Sequence, residues 1–158
     1  NDLNIIESTK ELGNIKFDLI TAFHVIEHVK NPIAILKDLF SYLNENGLLV
    51  LEVPNIDDIL LSTFDNKEFK SFTYWSQHLY YFNQYTIKTL CEKSGLKIEK
   101  IQFEQRYPLS NHLYWLSKGL PGGHIVWSDL DSREIQKAYS KKLAKLGKTD
   151  TILAFIRK

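Results

Sequence analysis

The chain is short of several things that would decide its class. One cysteine, Cys91, stands among 158 residues, and a lone thiol excludes both a disulfide framework and a cysteine-built zinc cluster. A reducing, cytoplasmic setting is expected. Neither sign of charge dominates, with 20 Lys+Arg against 19 Asp+Glu and no long basic block; on that footing a nucleic-acid partner is not expected. No apolar run approaches the roughly 20 residues that span a bilayer, and NDLNIIESTKELG lacks the basic start and apolar stretch of a secretory leader. No membrane partner is expected either. The seven glycines, at 13, 47, 95, 119, 122, 123 and 147, include no G-x-G. The adjacent pair Gly122-Gly123 follows Pro121 and reads as a turn.

What is present suits one α/β domain with a sizeable core: 44% hydrophobic and 13% aromatic residues in a chain of this length. FDLITAF at 17–23 is almost continuously apolar and β-prone, as in a strand covered on both faces of a parallel sheet. Asn31-Pro32 then supplies a cap and a first-turn proline, and Ile33, Leu36, Leu39, Phe40 and Leu43 mark a helix to about Asn44, stopped by Asn46-Gly47. LLVLEV at 48–53 is a second buried strand ending at Pro54, so the three elements make a right-handed βαβ unit. Further on, Asn83 opens a helix, LKIEKIQFE alternates as a strand, Ser132 caps REIQKAYSKKLAKL, and TILAFI is a last strand.

Between the first strand and first helix lies HVIEH at 24–28. Its spacing matches the H-x-x-E-H of an inverted zinc peptidase. That chemistry needs the five residues inside a helix, with both imidazoles on one face and a third ligand elsewhere. Here they fall between a strand end and a new helix start, so no metal is expected. Two other readings stay open: His24 or His28 as an acid/base group titrating near neutrality with Glu27 orienting it, or Glu27 and His28 bonding backbone of the turn.

The stretch FDLITAFHVIEHVKNPIAILKDLFSYLNENGLLVLEVPN resembles the second half of a class I S-adenosylmethionine-dependent methyltransferase of the ubiquinone-methyltransferase-like branch, and QHLYYFNQYTIKTLCEKSGLKI resembles its next segment. The resemblance implies a partial Rossmann-like three-layer sandwich holding strands 3 to 7 of the order 3-2-1-4-5-7-6, the last antiparallel, with LNIIES at 3–8 as the third. It implies S-adenosylmethionine as cofactor, lined by Ala22, Phe23 and His24 with Glu27 beside them. Some members bind a divalent metal through a Glu-x-x-Glu-His turn; His24 replaces the first Glu, which argues against magnesium. The glycine-rich turn and the ribose-binding acid of the family have no counterpart here. A single truncated domain over 1–158 is therefore expected, binding cofactor weakly and inactive by itself, with the open edge of FDLITAF pairing with something, a second copy included.

In the same resemblance residues 65–82 and 105–131 are cap insertions on the substrate side. His78, with His28, is the candidate base for an acceptor hydroxyl. Tyr74, Trp75, Tyr81 and Tyr107 are candidate contacts for a flat or ring-shaped small-molecule acceptor, sugar or quinone-like, with His112, Tyr114 and Trp115 as a second wall. Two readings compete with methyl transfer: a non-catalytic α/β binding or assembly module, and the zinc hydrolase.

Overall fold

The computed structural model describes residues 4–158. Four strands form one sheet: β1 (Phe17–Phe23), β2 (Leu43–Pro54), β3 (Ile98–Glu104) and β4 (Thr151–Arg157), in the order β1-β2-β4-β3. β1 and β2 are parallel neighbours, with Ala22 opposite Leu51. β4 runs antiparallel between β2 and β3, pairing Ala154 with Leu51 on one side and Ile101 on the other. This is the 4-5-7-6 end of the expected strand order.

α1 (Pro32–Ser41) forms where the sequence marks it, the Asn31 side chain accepting the Ala34 amide at 3.1 Å. α4 (Gln84–Lys93) carries a reciprocal capping box between Asn83 and Thr86. Leu36 of α1 and Ile87, Leu90 and Cys91 of α4 enter one core with Ala22, Leu49, Leu51, Ile152 and Ala154. Burial pushes the Cys91 thiol up to about 12, so it packs as a small hydrophobe and is no nucleophile. The alternate residues of β1, Leu19 and Phe23, point to the other face and stay 56% and 50% exposed.

Two expectations meet a different outcome. Residues 4–8 of LNIIES form no strand; Ser8 and Glu11 instead close a capping box around the 3-10 turn Thr9–Leu12, while Leu3 lies outside the described residues. In the order 3-2-1-4-5-7-6 a third strand pairs only with the second, so this segment has no ladder to join. The first helix also stops at Ser41 and not near Asn44. Residues 43–47 join β2, with Asn46 at φ 66° and the register slipping between Phe17 and Leu19, a bulge that Asn tolerates because its side chain suits the left-handed region.

The remaining helices stand at the carboxyl ends of the parallel strands. They are α2 (Ile59–Ser62), α3 (Lys67–Thr73), α5 (Leu109–Lys118), α6 (Gly123–Val126) and α7 (Arg133–Leu146). α3, capped by Asn66, falls within the aromatic stretch that the sequence leaves without a period. Gly122-Gly123 is more than a turn: a Cβ on Gly123 would stand 2.3 Å from Cβ of Tyr114 and 2.6 Å from the Ser110 carbonyl, so only glycine lets α6 lie on α5.

Candidate functional site

β1 ends at Phe23, and His24 adopts φ 52° while its amide still donates to the Glu52 carbonyl at 2.9 Å. The chain then makes one 3-10 turn, Ile26–His28, before the Asn31 cap. Ile26 plugs the core from below and Glu27 is buried with it, 1% exposed. HVIEH is therefore not a helix, and its two imidazoles diverge. His24 lies between Glu27 Oε1 (3.2 Å from Nδ1) and Glu52 Oε1 (3.0 Å from Nε2), with Arg106 Nη1 2.7 Å from Nε2. Since guanidinium only donates, Nε2 accepts and Nδ1–H donates to Glu27. His28 turns the other way, its Nδ1–H donating to the Gln77 carbonyl at 2.9 Å.

That bond, together with the amides of Leu79 and Tyr80 donating to the Glu27 carbonyl at 2.8 and 3.2 Å, ties the turn to the aromatic segment. His78 packs edge-on against His28, with centroids 4.8 Å apart, and against Trp75 at 5.3 Å. Burial, and then the neighbouring His28, hold the His78 imidazole below its ordinary range, which leaves it neutral at pH 7.

Above these residues opens a cavity of about 670 Å³. His24, Glu27, His28, Trp75, His78 and Tyr107 stand on its wall; so do Phe69, Phe72 and Trp115 of the cap. Ala22 faces the core, Phe23 the outer face, and Tyr74 and Tyr81 pair with each other at 5.1 Å behind Trp75, so these four do not line it. His112 and Trp115 join the wall while Tyr114 packs on Trp127.

Three wall residues are not among the site residues read from the sequence, where Asp58 marks only a helix start after Asn55. Asp58 caps α2 through the Leu60 amide at 2.6 Å, and burial pushes its carboxyl up to about 7 against that bond, with Asp150 adding to the rise. Asp150 accepts the amides of Arg106 and Tyr107, both at 3.0 Å, and Gln105 Nε2 at 3.0 Å. Arg106 reaches back to His24 and Glu52. Behind them His112, which donates to the Tyr139 hydroxyl at 2.6 Å, is pushed down to about 4 by burial and stays neutral.

Comparison with known proteins places this arrangement. The chain is 33% identical over 86 residues to a tRNA U34 carboxymethyltransferase of Campylobacter jejuni, a match covering 53% of this chain and 28% of that protein. Its fold superposes on a SAM-dependent methyltransferase from Archaeoglobus fulgidus with a TM-score of 0.54 at 18% identity, covering 95% of this chain and 63% of that one. It also superposes on a Haloferax volcanii methyltransferase solved with the Trm112 methyltransferase activator (TM-score 0.53, 9% identity, 91% and 54% covered). The chain thus spans less than a third of the length of the curated relatives it matches.

These findings correct the partner expectation. A small-molecule acceptor alone, with no nucleic acid and a homodimer through the β1 edge, does not stand beside relatives named for tRNA and a neighbour held by a protein activator. An even charge total does not decide the partner, because it averages over the whole surface. Among the described residues no helix is long and apolar enough to cross a membrane. The family model described as a methyltransferase domain matches residues 3–101, well over half of the chain, and the fold is that of S-adenosylmethionine-dependent methyltransferases: the chain belongs to the methyltransferase-domain family.

Proposed function

We propose that this chain carries the acceptor side of S-adenosylmethionine-dependent group transfer, and that the acceptor is a planar base presented by an RNA. The observation that carries the reading is the cavity itself. It opens at the carboxyl ends of the parallel strands, where α/β sheets bind ligands, and joins aromatic faces to one polar corner made by Glu27, His28 and His78. Trp75 and Tyr107 are each a little under half exposed, as suits rings that stack on an incoming base.

An activated sulfonium asks the protein mainly for alignment and exclusion of water. The aromatic walls would fix the plane of the acceptor, and the polar corner would receive its proton-bearing heteroatom. Cofactor contact by His24 and Glu27 suits their place on the wall; Ala22 would contribute backbone only, since its side chain is in the core. Support for RNA comes from the tRNA relatives and from α7, which presents Lys137, Lys141 and Lys145 to solvent one turn apart. Like charges at that spacing cost a helix stability, and phosphates would relieve the repulsion.

The test uses the polypeptide that bears this domain, with methyl-labelled S-adenosylmethionine and tRNA. Label should enter nuclease-sensitive material, and Trp75→Ala should weaken RNA use by about 10- to 100-fold, the value of one lost stacking contact. Label confined to nuclease-resistant products, or an unaltered Trp75→Ala protein, contradicts the reading.

A further inference from the structure

We propose that Glu27, His28 and His78 form a site for one divalent transition-metal ion of the zinc class on the cavity wall. One donor atom from each lies within 4.8 Å of the others. The Glu27 side chain is 1% exposed, yet its Oε2 has no hydrogen-bond partner, and Nδ1 of His78 is likewise buried and unpartnered. Two orphaned polar atoms side by side in one wall are unusual, because buried polar groups are nearly always satisfied.

The imidazoles are also set up as ligands are. His28 commits Nδ1–H to the Gln77 carbonyl at 2.9 Å, which leaves the Nε2 lone pair free and 3.9 Å from Glu27. Nδ1 of His78 is buried with no hydrogen-bond partner, so its lone pair is available to an ion. A backbone carbonyl on the second nitrogen, as at His28, is the usual outer support of a metal-bound histidine, fixing tautomer and ring orientation. Ligands around a tetrahedral ion at about 2.1 Å stand about 3.4 Å apart, so the three side chains need to draw in by roughly 1 Å, within the reach of small side-chain rotations.

The donor set selects the ion. Two neutral nitrogens and one carboxylate favour zinc, cobalt or ferrous iron over magnesium, which prefers oxygen. The set shares Glu27 and His28 with a Glu-x-x-Glu-His turn but not its first position: His24 donates to Glu27 and accepts from Arg106, and the third ligand, His78, comes from 50 residues beyond His28, a distance at which spacing carries no signal. Three protein ligands leave a coordination position open towards the cavity. Only in naming what fills that position does this inference rest on the proposed function: the heteroatom of the acceptor base, whose proton would leave more readily once metal-bound. The two imidazoles then act as ligands and not as bases.

The measurement is direct titration of the chelator-stripped chain with Co²⁺ and Zn²⁺, without cofactor or RNA, so its outcome is separate from that of the transfer assay. One Co²⁺ per chain with visible d–d absorption of a four- or five-coordinate nitrogen/oxygen site is expected, displaced by Zn²⁺ but not by Mg²⁺. Glu27→Gln, which keeps the shape of the buried side chain, and His78→Ala should each weaken binding by at least about 100-fold with unchanged circular dichroism. No saturable binding by the parent chain overturns the site, as does binding that survives both substitutions.

Discussion

Asp58 shows how burial at the cavity wall shapes the protein at the level of one side chain. Its carboxyl lies at about 7 in the folded chain against an ordinary 3.8, so as pH rises the unfolded chain ionises first. The folded state holds the extra proton between about pH 4 and 7, and stability is lost as pH climbs through that window. His112 works in the opposite sense: at about 4 against 6.5, it contributes stability that is whole above pH 6.5 and lost as pH falls towards 4. Over the shared window the two slopes offset each other. Asp58→Asn keeps the cap on α2 and removes only the first slope. The variant should be more stable than the parent near pH 8, by an amount on the order of a few kcal/mol, with the difference vanishing near pH 4, as read by urea unfolding at both values. An advantage equal at both would mean that Asp58 ionises normally. None of this was legible in the sequence, because the groups that sense Asp58, Asp150 and Tyr139, lie more than 80 residues along the chain.

Among the elements, those whose signals are local formed where the sequence marks them, with three differences: α1 stops at Ser41, β2 begins at Leu43, and β1, read as covered on both faces, leaves Leu19 and Phe23 exposed. β1, the Asn31 cap, α1 and β2 follow from an apolar run, a capping residue and a 3.6-residue stripe within about forty positions, and α4 and α7 follow from their caps. The cap over the cavity was less legible, because it depends on pairs such as Arg106 with His24, 82 residues apart, and Asn55 with Thr149, 94 apart. Of the site, His28, His78, Trp75 and Tyr107 could be picked out by residue type and place, whereas Arg106, Asp58 and Asp150 could not. α6 supplies the prediction at this scale. Its contact with α5 depends on the missing side chain of Gly123, so Gly123→Ala forces the two apart and should cost about 1–3 kcal/mol in urea unfolding. A midpoint equal to that of the parent would mean that α6 does not rest on α5.

For the molecule as a whole, the sheet divides the labour. Its inner face, packed by α1 and α4, makes the core; the carboxyl ends of β1 and β2 carry the cavity; and the outer residues of β1, Leu19 and Phe23, remain open among the described residues. The chain contains the turn after the fourth family strand and the cavity proposed above for the acceptor, but no G-x-G of the kind that lays backbone amides against a nucleoside. What is proposed is therefore acceptor binding by this chain without a donor grip of its own. Calorimetric titration of the 158-residue chain with S-adenosylmethionine tests this most directly: the prediction is no saturable binding below about millimolar concentration, equivalent to less than roughly 4 kcal/mol of affinity, and a micromolar dissociation constant would contradict it.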